Sequence, residues 1–142
     1  MPRPREGYRW LDHTADVGVI VRGATIESLF EVAAEALTDL ITDRSAVRER
    51  VPTAFQIAAP NLDQILVRWL TELLARFNVD GAVFHRFVVH SIADGNLDAE
   101  ALGETFDPNR HPFRAPVKGV THHRLSVRRT HDGWEATIIF DL

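Results

Sequence analysis

The sequence contains no cysteine among its 142 residues, and no apolar run approaches the length of a membrane-spanning helix. Without thiols, disulfides, thiolate metal sites and cysteine nucleophiles are excluded. A spanning helix needs about 18 apolar residues in succession. The first six residues, Met-Pro-Arg-Pro-Arg-Glu, carry charge but no apolar segment of the kind found in secretory signals. We therefore expect a cytoplasmic protein with no membrane association.

Common catalytic signatures are also missing from the sequence. It has no phosphate-binding G-x-x-x-x-G-K-[ST] loop, no G-x-G-x-x-G and no G-x-S-x-G. No H-x-x-x-H or H-E-x-x-H pattern supports a zinc site. His122 and His123 are adjacent, and neighbouring residues of a strand face opposite sides. These histidines are therefore poor candidates for sharing one ion.

Positive charge is scarce, since the formal net charge is −4. The densest basic group is Arg124, Arg128 and Arg129, with Lys118 upstream. On a regular strand Arg124 and Arg128 would share a face and Arg129 would lie on the other. Nucleic-acid binding normally rests on a broad basic footprint. The charge therefore argues against tight direct binding of RNA or DNA.

Two segments have the apolar periodicity of amphipathic helices. The first covers about residues 26–40, with Thr25 as its N-cap. The second begins after Asn61, an N-cap to which Gln64 can reach back as in a capping box, and its apolar stripe ends at Phe77.

The remaining segments alternate as strands do, and the expected order is strand, strand, helix, strand, helix and four strands. Pro52 and Pro60 bracket one strand, residues 93–96 form a turn signal, and residues 130–133 connect the last hairpin. This order predicts an α+β fold with two helices packed on a mostly antiparallel sheet. The length fits a single domain spanning residues 1–142.

The densest polar cluster lies between the first two predicted strands and contains Asp12, His13 and Asp16. Two carboxylates and an imidazole could bind a metal ion or transfer protons. Alternatively, aspartate and threonine in a connection cap turns by accepting backbone hydrogen bonds. Taken alone, these residues favour turn capping.

The sequence ends at Asp141-Leu142, directly after an apolar strand. Asp141 then lies beside the terminal carboxylate of Leu142, and like charges this close repel unless a cation or hydrogen-bond donors compensate. A divalent ion with oxygen ligands would do so, and Asp16 could supply a third carboxylate. The alternative is that both residues point into solvent, where their repulsion is screened.

A second polar stretch, residues 103–112, leads to Lys118, which stands alone among apolar and small residues. This lysine could contact a partner or a phosphate. A solvated lysine at the start of a strand explains it equally well.

These features together resemble the archease family, in chain order and with no large insertion. The matching segments are Tyr8-Arg-Trp-Leu-Asp-His-Thr-Ala-Asp16-Val-Gly18, Gly23-x-Thr25-x-Glu27-x-Leu29-Phe30, Trp69-Leu70-x-Glu72-Leu73-Leu74, Gly103-Glu104 followed by His111-Pro112, Val117-Lys118-Gly-Val-Thr-His-His123 and Ile139-Phe140-Asp141-Leu142.

The resemblance implies a strand-helix-strand-strand core and a role that is not enzymatic. Archeases activate the GTP-dependent RNA ligase of tRNA splicing and RNA repair, promoting its guanylylation and multiple turnover. GTP is used by the ligase, and tRNA is contacted only through it. The alternative function is a metal-dependent phosphatase or nuclease that uses the same carboxylates. The oligomeric state stays open.

The resemblance also implies the site residues. Asp16, Asp141 and Leu142 would bind a divalent metal ion, with calcium expected and Mg²⁺ or Mn²⁺ as alternatives. Lys118 matches a lysine needed for activation, and Asp12 and His13 would take part in partner contact or activation. Two positions depart from the family pattern, since His122 stands where a tyrosine is usual and Gly119 where an alanine is usual. Neither is an expected ligand.

Overall fold

The computed structural model describes residues 6–12 and 16–142, which form seven strands and two α-helices. The strands are β1 (Gly7–Asp12), β2 (Asp16–Gly23), β3 (Val51–Ala58), β4 (Ala82–Ala93), β5 (Asn96–Thr105), β6 (Gly119–Thr130) and β7 (Gly133–Asp141). The helices are α1 (Ile26–Ile41) and α2 (Leu62–Asp80), with a short 3₁₀ helix at Arg44–Ala46. This order of elements confirms the predicted α+β fold.

The strands form two sheets, whereas the sequence predicted one. The four-stranded sheet has the order β1-β2-β7-β6 and the three-stranded sheet the order β3-β5-β4, with every pairing antiparallel. Each helix contacts strands of both sheets. Helix α1 buries Val32 and Ala36 as well as Phe30 and Leu37. A helix that is apolar on both sides needs a covering layer on each, which is why the strands divide.

The predicted N-caps of both helices are present. Thr25 caps α1, and Ser28 completes a reciprocal capping box with it. The Asn61 side chain accepts a hydrogen bond from the backbone N–H of Gln64 at 3.0 Å. Gly81, with φ of 69°, ends α2 in the left-handed conformation that glycine adopts without strain. Short-range signals therefore set the helix limits.

Turn chemistry fixes the hairpins. Asp94 (φ 54°) and Gly95 (φ 77°) form a two-residue turn between β4 and β5, as the sequence predicted. Positive φ at both central residues is the type I′ geometry, which matches the twist of a hairpin.

Pro52 was expected to precede a strand but lies inside β3. An edge strand tolerates proline when its missing N–H would point away from the ladder.

Aromatic packing joins the helices to the three-stranded sheet. The ring of Trp69 in α2 meets those of Phe55 and Phe87 edge to face, and its Nε1 donates to the carbonyl of Phe30 in α1 at 3.0 Å. Within the described ranges, every helix is too short or too polar to cross a membrane.

Candidate functional site

Asp16 and Asp141 are brought together by the pairing of β2 with β7. Asp16 is the first residue of β2, Asp141 is the last of β7, and the two are directly opposite in the antiparallel register. The Cβ atoms of residues opposed in this way lie about 4.5–5.5 Å apart. Two carboxylates from opposite ends of the chain therefore share one corner of the four-stranded sheet.

The hydrophobic alternation of these strands sets the direction of both aspartates. Val17 is paired with Phe140, which is completely buried beneath the helices, so the flanking Asp16 and Asp141 lie on the other face. Asp141 is exposed and Asp16 is half-buried. The side chain of Leu142 packs against the edge of the core. We call Asp16, Asp141 and Leu142 the acidic corner.

Lys118 lies beside the same corner. Its backbone N–H donates to the carbonyl oxygen of Asp141 at 2.8 Å, and its side chain is exposed. The next residue, Gly119, is opposite Asp141 on the β6 side, and a Cβ added there would meet no atom within 4 Å. The structure thus joins the predicted aspartates and the predicted lysine, and leaves open space next to Asp141.

The chemistry of these groups fits a hard cation. Opposed like charges destabilise a strand pair, and divalent ions such as Ca²⁺ prefer carboxylate and carbonyl oxygens. In residues 6–12 and 16–142, no group of three or more His, Cys, Asp or Glu side chains is arranged to hold a metal ion. Asp16 and Asp141 would therefore supply two side-chain ligands, and further oxygens would come from the terminal carboxylate, the backbone or solvent.

The remaining predicted contact residues are placed differently. Asp12 ends β1, where it is opposite Val17, so it belongs to a strand and not to the connecting loop. His13 lies outside the described residues.

The polar stretch, residues 103–112, begins inside β5, where Glu104 forms an internal anchor that sequence reasoning missed. The Glu104 carboxylate is 6% exposed and accepts hydrogen bonds from Nη2 of Arg110 at 2.6 Å, the N–H of Arg48 at 2.9 Å and Nε2 of His111 at 2.9 Å. Burial raises the pKa of Glu104, but these hydrogen bonds outweigh burial and lower it to about 2.

His111 completes this anchor. Its side chain is fully buried, and its Nδ1 accepts the N–H of Asp107 at 2.8 Å, which assigns the ring proton to Nε2, facing Glu104. Its ring also contacts Phe106, which packs on Phe77 of α2. The Gly-Glu and His-Pro signals of the sequence therefore mark a structural network. A charged residue inside an alternating strand was the signal that could have revealed it.

The basic group in β6 is not a regular stripe. Arg124 has φ of 57° and falls in a break of the β6–β7 register between Thr121 and Ser126, so the expected alternation with Arg128 does not hold. Arg128 donates to Glu135 at 2.6 Å, and Arg129 lies over the ring of Trp134. The last two arginines therefore have partners within the protein.

The chain matches known proteins over nearly its full length. Residues 8–142 match the Archease protein family (MTH1598/TM1083). The chain is 36% identical to Protein archease of Methanosarcina mazei, with 100% of both chains covered. It is 37% identical to Protein archease of Methanopyrus kandleri, with 93% of this chain and 96% of that protein covered.

Solved structures share the fold. The solution structure of Methanobacterium thermoautotrophicum protein 1598 has a TM-score of 0.82 at 30% identity, with 96% of this chain and 99% of that chain covered. The crystal structure of a Thermotoga maritima archease, described as a possible chaperone, has a TM-score of 0.65 at 17% identity, with 100% and 98% covered. The second likeness concerns the fold alone.

Proposed function

This chain belongs to the archease family, and we propose that it is a metal-binding activator of the GTP-dependent RNA ligase that joins tRNA halves. The observation that carries the proposal is the direct opposition of Asp16 and Asp141, with Lys118 bonded to the same residue of β7. An acidic pair at the rim of a sheet, beside an exposed lysine, suits contact with a site that handles nucleotide phosphates.

The acidic corner would hold one divalent ion, with calcium as the expected ion and Mg²⁺ or Mn²⁺ as alternatives. When bound, the ion would supply positive charge for nearby phosphate oxygens. Asp16 and Asp141 would hold it through their side chains and Leu142 through its terminal carboxylate. The open space beside Gly119 leaves room for a partner to approach Asp141.

Activation would work by positioning, and the catalysed reaction would remain with the ligase. Transfer of a nucleotide's phosphoryl group depends mainly on alignment and charge compensation. We propose that the acidic corner enters the ligase site, where Lys118 contacts the ligase or a phosphate of GTP. Asp12 and His13 would contribute to the same contact. tRNA would meet this protein only through the ligase, in the cytoplasm.

The test is to mix the protein with the RNA ligase, GTP and cut tRNA, and to follow ligase guanylylation and repeated joining. We expect Asp16→Ala and Asp141→Ala to reduce stimulation by at least about tenfold, or about 1.4 kcal/mol of barrier. Lys118→Ala should reduce stimulation but retain metal binding. Asp132→Ala is the matched control, because Asp132 lies in the turn at the opposite end of the β6–β7 hairpin.

Full stimulation by both acidic-corner variants would show that the proposed site is wrong. The alternative, a phosphatase or nuclease, has its own signature. The protein alone, with Mg²⁺ or Mn²⁺, would hydrolyse a phosphate ester or a nucleic acid. The Asp16→Ala variant would lack this activity.

A further inference from the structure

Strand β3 presents an open backbone edge on the three-stranded sheet. Among the described residues its one strand partner is β5. Pro52 lies inside β3 and lacks an N–H, so its side of the strand faces away from β5. By alternation Ala54 and Gln56 also direct their N–H and C=O groups outward. The carbonyl of Ala58 also points away from β5, because it accepts a hydrogen bond from Arg68 of α2 at 2.6 Å.

The other edge of this sheet is partly covered. Glu31 of α1 accepts the backbone N–H of Val89 in β4 at 2.8 Å, and Arg44 donates to the carbonyl of His85 at 2.8 Å. Breaks in the β4–β5 register also disturb that edge. Because exposed edges attract other strands, proteins usually protect them. The bare part of β3 therefore stands out from its counterpart in the same sheet.

A groove of about 610 Å³ runs between this edge and α2. Residues 54–58 form one wall, and Arg68, Glu72 and Arg76 lie on the other. Arg68 reaches Ala58, while the guanidinium of Arg76 lies 5.8 Å from the ring centroid of Phe55. The helix thus runs alongside β3 in the opposite direction, over the face that carries Phe55. A strand added at the edge of β3 would therefore turn one of its side-chain faces toward α2.

The charged side chains of α2 along the groove indicate which kind of partner can bind there. Arg68, Glu72 and Arg76 are all exposed and are spaced by four residues, in the order positive, negative, positive. This order is symmetric about Glu72. A second copy docked antiparallel across a twofold axis there would place arginine against arginine and Glu72 against Glu72. Like-charge juxtaposition of this kind acts against a partner, so self-association through β3 is disfavoured.

An extended peptide of complementary charge fits the same wall. Eight residues of helix separate the two arginines by about 12 Å, and side chains four residues apart on a strand are separated by about 13 Å. The ion pair of Arg76 with Asp80 is solvent-exposed at 3.3 Å, and exposed pairs contribute little. Arg76 is therefore available to a new carboxylate.

We propose that the β3–α2 groove binds an extended acidic segment of another protein as an added strand. The segment would carry acidic side chains at positions i and i+4 and a basic or hydroxyl side chain at i+2. Backbone hydrogen bonds to Ala54 and Gln56 would give affinity, and the helical wall would give specificity. This inference is independent of the proposed function, because the groove lies on the other sheet.

The test uses the peptide Thr-Glu-Thr-Lys-Thr-Glu-Thr, followed by fluorescence anisotropy and by amide chemical shifts of the full-length protein. We expect shifts confined to β3 and the facing side of α2. Gln56→Pro should weaken binding by at least about tenfold, since it removes an outward N–H but spares the ladder to β5. The double variant Arg68→Glu, Arg76→Glu should weaken binding to a similar extent, because the acidic side chains of the peptide would then meet like charges.

Matched controls separate this site from general attraction. Arg86→Glu makes the same charge change per residue at an exposed arginine of β4, and it should leave binding unchanged. The charge-inverted peptide Thr-Lys-Thr-Glu-Thr-Lys-Thr and an N-methylated form of the acidic peptide should both bind weakly. The proposal is overturned by three results: no binding at about 1 mM peptide, binding that the groove variants leave intact, or dimerisation through β3.

Discussion

Asp141 lies directly opposite Asp16 in the β2–β7 ladder, and its carbonyl oxygen accepts the N–H of Lys118. Three candidate functional residues from distant parts of the chain therefore meet at the end of β7, where the two aspartates are aligned by the β2–β7 register. That register is set by burial of Val19 and Ile138, which are paired on the helix side of the sheet. A slip of one residue would turn this apolar face to solvent. Packing of the core therefore fixes the positions of the two aspartates indirectly.

Replacing Asp141 with asparagine should separate repulsion from metal binding. Loss of one opposed charge should stabilise the metal-free protein by about 0.2–1 kcal/mol. Calcium at a hundredfold excess over its Kd should stabilise the wild type by about 2.7 kcal/mol, and this gain should vanish in Asp141→Asn. Thermal unfolding in chelator and in calcium measures both effects, with Asp132→Asn as control. A variant that keeps the calcium gain would contradict the site.

Extending the chain beyond Leu142 should weaken metal binding. Two added residues, Gly-Ser, would move the terminal carboxylate away from Asp141. We expect calcium affinity to fall by about tenfold or more in calorimetric titration, together with ligase stimulation. The same two residues at the amino terminus serve as the control. Equal calcium affinity in the two extended proteins would remove Leu142 from the ligand set.

The Glu104 anchor should make stability depend on acidity. The pKa of Glu104 is lowered from 4.5 to about 2 in the folded protein. The ionised carboxylate therefore stabilises the fold at pH values above the pKa of the unfolded state. That contribution should be lost as the pH falls from about 5 to about 2. Glu104→Gln should destabilise the protein by about 3 kcal/mol at neutral pH, and the deficit should shrink across this acidic range. Urea unfolding at several pH values measures the deficit, and a constant difference would argue against the anchor.

Tyr8 offers a spectroscopic check of the β1–α1 contact because it is the only tyrosine in the sequence. Its hydroxyl donates to Oδ2 of Asp39 at 2.6 Å. Burial, followed by this hydrogen bond, raises the pKa of Tyr8 from 10.0 to about 12. The stabilisation should be complete below pH 10 and be lost as the pH rises through about 12. Ultraviolet titration should show the high pKa, and Asp39→Asn should lower it; titration near 10 in the folded wild type would refute the contact.

The sequence by itself determined the helices, their caps, the β4–β5 turn and the order of elements. These features depend on periodicity and on hydrogen bonds between residues a few positions apart, as with Thr25 and Ser28. It also singled out Asp16, Asp141 and Lys118, through charge patterning and family resemblance.

Only the tertiary structure decided which strands are neighbours, and therefore where those residues meet. Pairing of β2 with β7 joins the two ends of the chain, and burial of α1 on both sides divides the strands into two sheets. The partners of Glu104 come from separate segments around Arg48 and Arg110. Such choices depend on competition among distant apolar surfaces for burial, which no local pattern encodes. The open edge of β3 likewise follows from which strands were left without a neighbour.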